Sequence, residues 1–344
     1  MRNCAHLVRF KKAVFDYICS MNLLREICSV LDAASVEYST KEIGGMDVIF
    51  TDRPAGGRQD GKSSAAIIPV SITAADTESA RHQAEALRTT VTSVVQLTGL
   101  YPQTVAEDRW RLQHEMMRAR LLAHVQIFSQ IYARNCEIKK IDKQTAARFL
   151  DENHSYGDAK CRYRYGLYLK RHTGHNAAKT DAKTGADITP EQHASRILPG
   201  TLVAVATFSN ARKWIKGDKT IRSYEWTRYA SLPGVRLSGG MGKLLKAFIE
   251  EVNPDDIMTY ADLEWSEGKV YETLGFEHEG NKEPVDFQID TSWSRIPVKP
   301  GTTEEVTSRK TGIETSLQEA REEGNLYFRN LGSNKYRRKL TNYQ

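Results

Sequence analysis

Residues 224–276 read YEWTRYASLPGVRLSGGMGKLLKAFIEEVNPDDIMTYADLEWSEGKVYETLGF, and this stretch decides the fold. An aromatic, β-type run from Tyr224 leads to a glycine-rich turn, Ser238-Gly239-Gly240-Met241-Gly242-Lys243. Leu244, Leu245, Phe248 and Ile249 follow at helical spacing and form one apolar face. Glycines at a helix N-terminus let the backbone approach a ligand closely, and the first-turn amides and helix dipole then face an anion such as a phosphate or pyrophosphate. A tight strand-to-helix connection has the same composition, so the glycines alone leave both readings open. Beyond them, Pro254, Asp255 and Asp256 form a turn, 257–261 a strand, and 270–274 a short helix that ends in Gly275-Phe276. Strands and helices alternate, which places the chain in the α/β (α+β) class.

Two elements of this stretch carry a family resemblance. Gly240-x-Gly242 and Tyr271-Glu272-Thr273-Leu274-Gly275-Phe276 resemble the cofactor-binding half of the GNAT superfamily of acyl-CoA-dependent N-acyltransferases. In that family a Gln/Arg-x-x-Gly-x-Gly/Ala loop opens the central helix and a later helix ends in Tyr-x-x-x-Gly-Phe. Leu237 stands where the family has Gln or Arg, with Arg236 one place early. The resemblance covers about 134–290. It implies a mixed central sheet flanked by helices, with acetyl-CoA held at Gly239, Gly240, Met241, Gly242 and Lys243.

Acyl transfer needs an amine freed of its proton and a donor for the departing thiolate. By the resemblance Tyr271 is that donor; read by itself it is equally a packing tyrosine. Glu225, in the strand before the loop, is the candidate general base, and a structural ion pair with Arg228 or Arg222 is the alternative. Asp262 and Glu264, at the end of the next strand, are candidates to orient the amine. His154, in the Asn153-His154-Ser155-Tyr156-Gly157 loop, lines the acceptor side or caps a turn.

With 344 residues, 40% hydrophobic and 27% charged, the chain has the composition of a folded protein and the length for two domains. A formal charge of +6 permits an acidic partner without requiring one. There is no apolar run of membrane-spanning length and no signal-peptide pattern, so a cytoplasmic location is expected. The five cysteines are scattered and lack a C-x-x-C pair, which reads as reduced thiols rather than a metal site.

The domain reading runs as 1–130, a smaller α/β domain ending in a long helix over 112–131; 131–295, the acyltransferase-like domain; and 296–344, a helix near 314–323 and a basic tail. Within the first, helical spacing over 10–34 gives way to β-type runs at 46–50 and 66–72, a helix over 76–87, a β-branched run at 91–97 and a strand at 104–106. Asp47 and Glu107-Asp108-Arg109-Trp110 resemble a very-short-patch, restriction-endonuclease-like module of phage and mobile-element proteins. Pro69-Val70-Ser71 occupies the strand where such a module carries its second acid, so no magnesium site and no nuclease activity are expected. Residues 171–199 are polar and aperiodic and read as a mobile insertion in a hairpin. The tail at 327–339 has five Lys or Arg and no acid, interleaved with aromatics. That mixture suits nucleic-acid phosphates and bases as well as a solvated terminus.

Two functions stay open at this level. One is a GNAT-like N-acetyltransferase acting on an amine. The other is a non-catalytic, nucleic-acid-associated protein of a phage or mobile element built on the same scaffold.

Overall fold

The computed structural model describes residues 23–52, 65–171, 197–298, 323 and 325–343. The N-terminal part of the expected 10–34 helices, nearly all of the 171–199 insertion and the helix near 314–323 lie largely outside them. In chain order the elements are helix α1 (23–33), strands β1 (Tyr38–Ile43), β2 (Met46–Thr51) and β3 (Ala65–Val70), α2 (Thr77–Thr98), β4 (Gln103–Ala106), α3 (Glu107–Leu112) and α4 (His114–His124). Next come β5 (Ser129–Tyr132), β6 (Cys136–Lys140), α5 (Lys143–Asn153), β7 (Tyr163–Leu169), β8 (Leu202–Phe208), β9 (Arg212–Lys216), β10 (Lys219–Ser231), β11 (Val235–Ser238) and α6 (Gly240–Val252). The chain closes with β12 (Asp256–Asp262), α7 (Lys269–Thr273), β13 (Glu277–Lys282), β14 (Asp286–Ile289), β15 (Arg295–Pro297), β16 (Leu326–Arg329) and β17 (Ser333–Lys339). This is the mixed α/β class that the sequence indicates.

The described residues form two compact units interleaved along the chain. The first comprises those up to Met117 with those in Asp262–Glu267 and Lys282–Ser333; the second comprises Arg118–Ala261, Gly268–Asn281 and Asn334–Gln344. Residues 296–344 therefore supply strands to both.

In the first unit β1, β2 and β3 pair antiparallel and β4 runs parallel to β3. A second sheet has the order β15-β14-β16. Leu87, Val91 and Val94 of α2 share a core with Val48, Phe50, Ile68 and Val70 of one sheet and Phe287, Ile289, Leu326 and Phe328 of the other. The β-branched 91–97 run is thus helix rather than a separate strand, because Leu87, Val91 and Val94 fall on one helical face and burial outweighs local β-propensity. Asp76 starts α2 through a capping box with Ser79, and Gly99 ends it in the left-handed region. The long helix expected over 112–131 is instead α3, α4 and strand β5.

One buried group of charges marks this unit. The Arg295 guanidinium donates to both Glu264 carboxylate oxygens at 3.0 Å and to both oxygens of Asp108, and all three side chains are at most 3% exposed. Burial, with Asp262 and Asp108 nearby, outweighs Arg295 and pushes the Glu264 carboxyl up to about 7. One guanidinium neutralises one carboxylate; the second is more stable holding a proton. Because this carboxyl is raised, the folded chain binds the extra proton between the ordinary carboxylate range and about pH 7. The associated stability is fully present at acid pH and is lost as pH rises through that window, at up to about 1.4 kcal/mol per pH unit. Denaturant unfolding at pH 5.5 and 8 is expected to show this fall in the parent and a flatter profile in Glu264→Gln.

The second unit is built on a sheet of order β13-β17-β12-β10-β8-β7-β6, with β9 paired to β10. Strand alternation turns Tyr165, Leu167, Phe208, Tyr224 and Trp226 into one core, closed by Leu244, Leu245 and Phe248 of α6. Phe248 stacks on Phe208 at 3.9 Å. On the other face Ala146, Phe149 and Leu150 of α5, which is capped by Asp142, cover Val205 and Ala230.

The basic tail is not a free terminus. Residues 326–329 and 333–339 are strands, and β17 sits between β13 and β12. Four of its five cations are held internally: Arg329 on Asp286, Lys335 on Glu279, Arg337 on Asp256 and Glu279, and Arg338 on the Leu274 carbonyl. Alternation of Leu326 and Phe328 with polar residues was the sign that this is sheet.

Candidate functional site

The glycine turn folds as its composition requires. β11 runs into Gly239, which takes φ 77° and caps α6 from the left-handed region. Gly240 is closely packed: a Cβ there would come within 2.6 Å of the Leu237 side chain and 3.0 Å of the Tyr229 hydroxyl, so Leu237 would have to shift. Gly242 is more open, its virtual Cβ lying 3.4 Å from Leu274. The Lys243 N–H closes on the Gly239 carbonyl, so Gly240, Met241 and Gly242 contribute the amides that begin the helix.

The Lys243 side chain is engaged within the fold. Its ammonium donates to the carbonyls of Ala133 at 2.9 Å and Cys136 at 2.6 Å, so its side chain ties α6 to the β5–β6 segment instead of facing an anion. Alongside α6 lies a cleft of about 600 Å³, with Gly242, Lys246 and Ile249 on one wall and Leu274, Gly275 and Arg338 on the other. Lys246 and Arg338 were missed in the sequence; nothing local to 338 indicates that β17 brings it to the end of α7.

The neighbouring strands part close to this turn. β10 and β12 pair in parallel only at Ser223↔Asp256, Tyr224↔Ile257 and Glu225↔Met258, although β10 continues to Ser231 and β12 to Asp262. Just beyond the last pair the β10–β8 register shifts between Trp226 and Arg228. Thr259 Oγ1 donates to the Trp226 carbonyl across the opening at 3.1 Å.

Tyr271 stands at that opening. Its ring packs against Trp226, Phe276 and Tyr336 with centroids 5.5–6.2 Å apart, and its hydroxyl bonds the Thr259 side chain. Burial raises its pKa above the ordinary phenol value, so the proton is retained at neutral pH. Gly268 opens α7 with φ 92°, where a side chain would strike Tyr336 and Ala261.

Glu225 occupies the last β10–β12 pair, and strand alternation directs it to the face opposite Trp226. Its main chain is fixed by reciprocal bonds with Ser209. The nearby Arg228 donates to the carbonyls of Gly157 and Thr227 and lies 5.9 Å over the Tyr156 ring, pinning the loop after α5 onto β10. Burial lowers the Arg228 pKa, and Glu225 is the largest influence opposing that shift. His154 lies in that loop and accepts from the Tyr156 N–H through Nδ1 at 3.1 Å, the turn-capping alternative read from the sequence.

Asp262 and Glu264 do not join this group. Both belong to the first unit, where Asp262 accepts from the Glu264 N–H and Glu264 is buried on Arg295. The chain leaves the sheet at the end of β12 and enters a different core. The acids of the endonuclease-like resemblance are also engaged, Glu107 accepting from the Ile72 N–H and Asp108 from Arg295. Asp47 is paired across β1–β2 with Glu42. Among the described residues no cluster of His, Cys, Asp and Glu could hold a metal ion, and no helix is long and apolar enough to cross a membrane.

No family model and no curated protein matches the sequence. Among solved structures the chain is similar to Eis1 from Mycobacterium abscessus, with 12% identity and a TM-score of 0.29 over 44% of this chain and 34% of that one. It is similar also to the NatC complex bound to Gag peptide and CoA, with 12% identity and a TM-score of 0.29 over 60% of this chain and 99% of that one. The chain thus spans about a third of the Eis1 chain. At that similarity neither structure bears on the chemistry of this site.

Proposed function

We propose that the protein is an N-acetyltransferase that moves an acetyl group from acetyl-CoA to an amine. The observation that carries this reading is the parting of β10 and β12 beside a glycine-opened helix, with Tyr271 at the opening. The first-turn amides from Gly240 to Gly242 suit a pyrophosphate. The adjoining cleft has the size for the remaining nucleotide, and Arg338 with Lys246, the latter 3.6 Å from Glu250 on the same wall, gives it one cation in excess. Acetyl-CoA would supply the activated acyl group there, its thioester arm entering between the parted strands.

The chain's own groups then divide the proton chemistry. Glu225, directly or through a water, takes the proton from the amine as its nitrogen bonds the acyl carbon. As the carbon–sulfur bond breaks, Tyr271 gives its proton to the sulfur; its raised pKa keeps that proton available. Glu225 and Tyr271 approach from opposite faces of the sheet, and the gap between the strands is where the two faces meet. The loop at 154–158, pinned by Arg228, then borders the acceptor.

Binding tests the reading directly. Acetyl-CoA or CoA at about 100 times its Kd is expected to stabilise the fold by about 2.7 kcal/mol, seen as a raised melting temperature. Gly242→Asp should abolish that shift by placing a carboxylate beside the amides, while its Cβ meets only Leu274 at 3.4 Å. Gly240 is unsuited to the test, since any side chain there displaces Leu237. Absence of a shift in the parent at millimolar ligand would refute the cofactor assignment.

A further inference from the structure

The β9–β10 hairpin projects past the rest of its sheet. β7 pairs with β8 no farther than Phe208, and β12 joins β10 only from Ser223 onward. Residues 212–222 therefore form a two-stranded ribbon, and β9 pairs only with β10 among the described residues. Five cross-strand pairs make it roughly 15 Å long.

Its charge is one-sided in sign and two-sided in space. Arg212, Lys213, Lys216 and Lys219 are exposed, with Asp218 the one acid in that span. Lys216 lies directly opposite Lys219, and Lys213 directly opposite Arg222. Like charges in such positions are destabilising. Alternation puts Arg212, Lys216 and Lys219 on one face and Lys213 and Arg222 on the other. Among the described residues Arg212, Lys213, Lys216 and Lys219 have no ion-pair partner; Arg222 has Asp255 at 3.6 Å.

The ribbon is anchored on its Arg212, Lys216 and Lys219 face, where Lys216 lies 5.5 Å over the Trp214 ring and 5.9 Å over the Tyr343 ring with its ammonium end exposed. Trp214 packs on Tyr343 at 5.6 Å, Lys219 donates to the Asn342 carbonyl, and the Tyr343 hydroxyl donates to Asp256. Its exposed large apolar side chain is Ile215, at 78%, too little to insert into a lipid surface. A flat acidic protein patch would meet one face and leave the cations of the other unpaired. A groove walled by phosphates on both sides meets both, and the major groove of a duplex, about 12 Å wide, admits a two-stranded ribbon.

We propose that the β9–β10 ribbon docks duplex nucleic acid without sequence preference, through phosphate contacts from Arg212, Lys213, Lys216 and Lys219. Four of the C-terminal strand cations, Arg329, Lys335, Arg337 and Arg338, are already held internally and are not part of this site, which is independent of the acyltransfer reading.

The test uses the full chain and fluorescence anisotropy with a labelled random-sequence DNA duplex. Four phosphate contacts predict a loss of about a hundredfold in affinity between roughly 50 and 200 mM salt. Lys213→Gln/Lys216→Gln/Lys219→Gln should lower the salt slope by about three units. The charge-matched control Lys139→Gln/Lys143→Gln/Lys160→Gln, on exposed lysines elsewhere in the same unit, should leave it near the parent's. Equal losses in the two variants, binding confined to single strands, or binding to phosphatidylserine vesicles but not to duplex would each overturn the proposal. The acetyl-CoA melting shift should be the same in parent and ribbon variant, so failure of one reading is visible apart from failure of the other.

Discussion

Tyr271→Phe is expected to reduce acetyl transfer by about 10²- to 10⁴-fold, the range of a positioned general acid, while leaving the acetyl-CoA melting shift unchanged. The substitution keeps the ring and its contacts with Trp226, Phe276 and Tyr336 and removes only the hydroxyl. Thr259 loses one partner but keeps its bond to the Trp226 carbonyl, so the fold should be little affected. Thiol release from acetyl-CoA, followed with a panel of primary amines and lysine-bearing peptides, provides the readout. Equal turnover in parent and variant would remove Tyr271 from the mechanism; a lost melting shift would instead show that the hydroxyl holds the cofactor's site together.

Arg295→Met is expected to cost about 3–5 kcal/mol of stability near pH 8, the largest structural effect anticipated for a single change in this chain. The methionine can still pack on Phe328, whose ring centre lies 4.2 Å from the guanidinium carbon. What it cannot do is neutralise Asp108 and Glu264, which remain buried without their shared cation. Protonation relieves part of that cost, so the deficit should shrink at acid pH. Adding Asp108→Asn and Glu264→Gln to Arg295→Met should recover much of the loss. Denaturant melts of the single and triple variants give the comparison, and a single variant as stable as the parent would show that the cluster carries no such interdependence.

Sequence alone determined the elements whose cause is local. Gly239 to Gly242 mark a helix start because glycine takes φ 77° at little cost and leaves room for the Leu237 side chain. Asp142 announces α5 through its cap, and the apolar face of α6 is plain from Leu244, Leu245 and Phe248. Tertiary structure decided whatever depends on which distant segments meet. Local β-propensity at Val91 yielded to a helix face buried between two sheets. The basic tail became strands because Leu326 and Phe328 found a core and Arg337 found Asp256 and Glu279. Lys243 and Glu264 read as groups available to a ligand, yet the fold supplies the carbonyls of Ala133 and Cys136 to one and Arg295 to the other. A charged side chain's role is set by the partners that folding brings to it, and in this chain Arg295 lies 31 residues from Glu264 and 187 from Asp108.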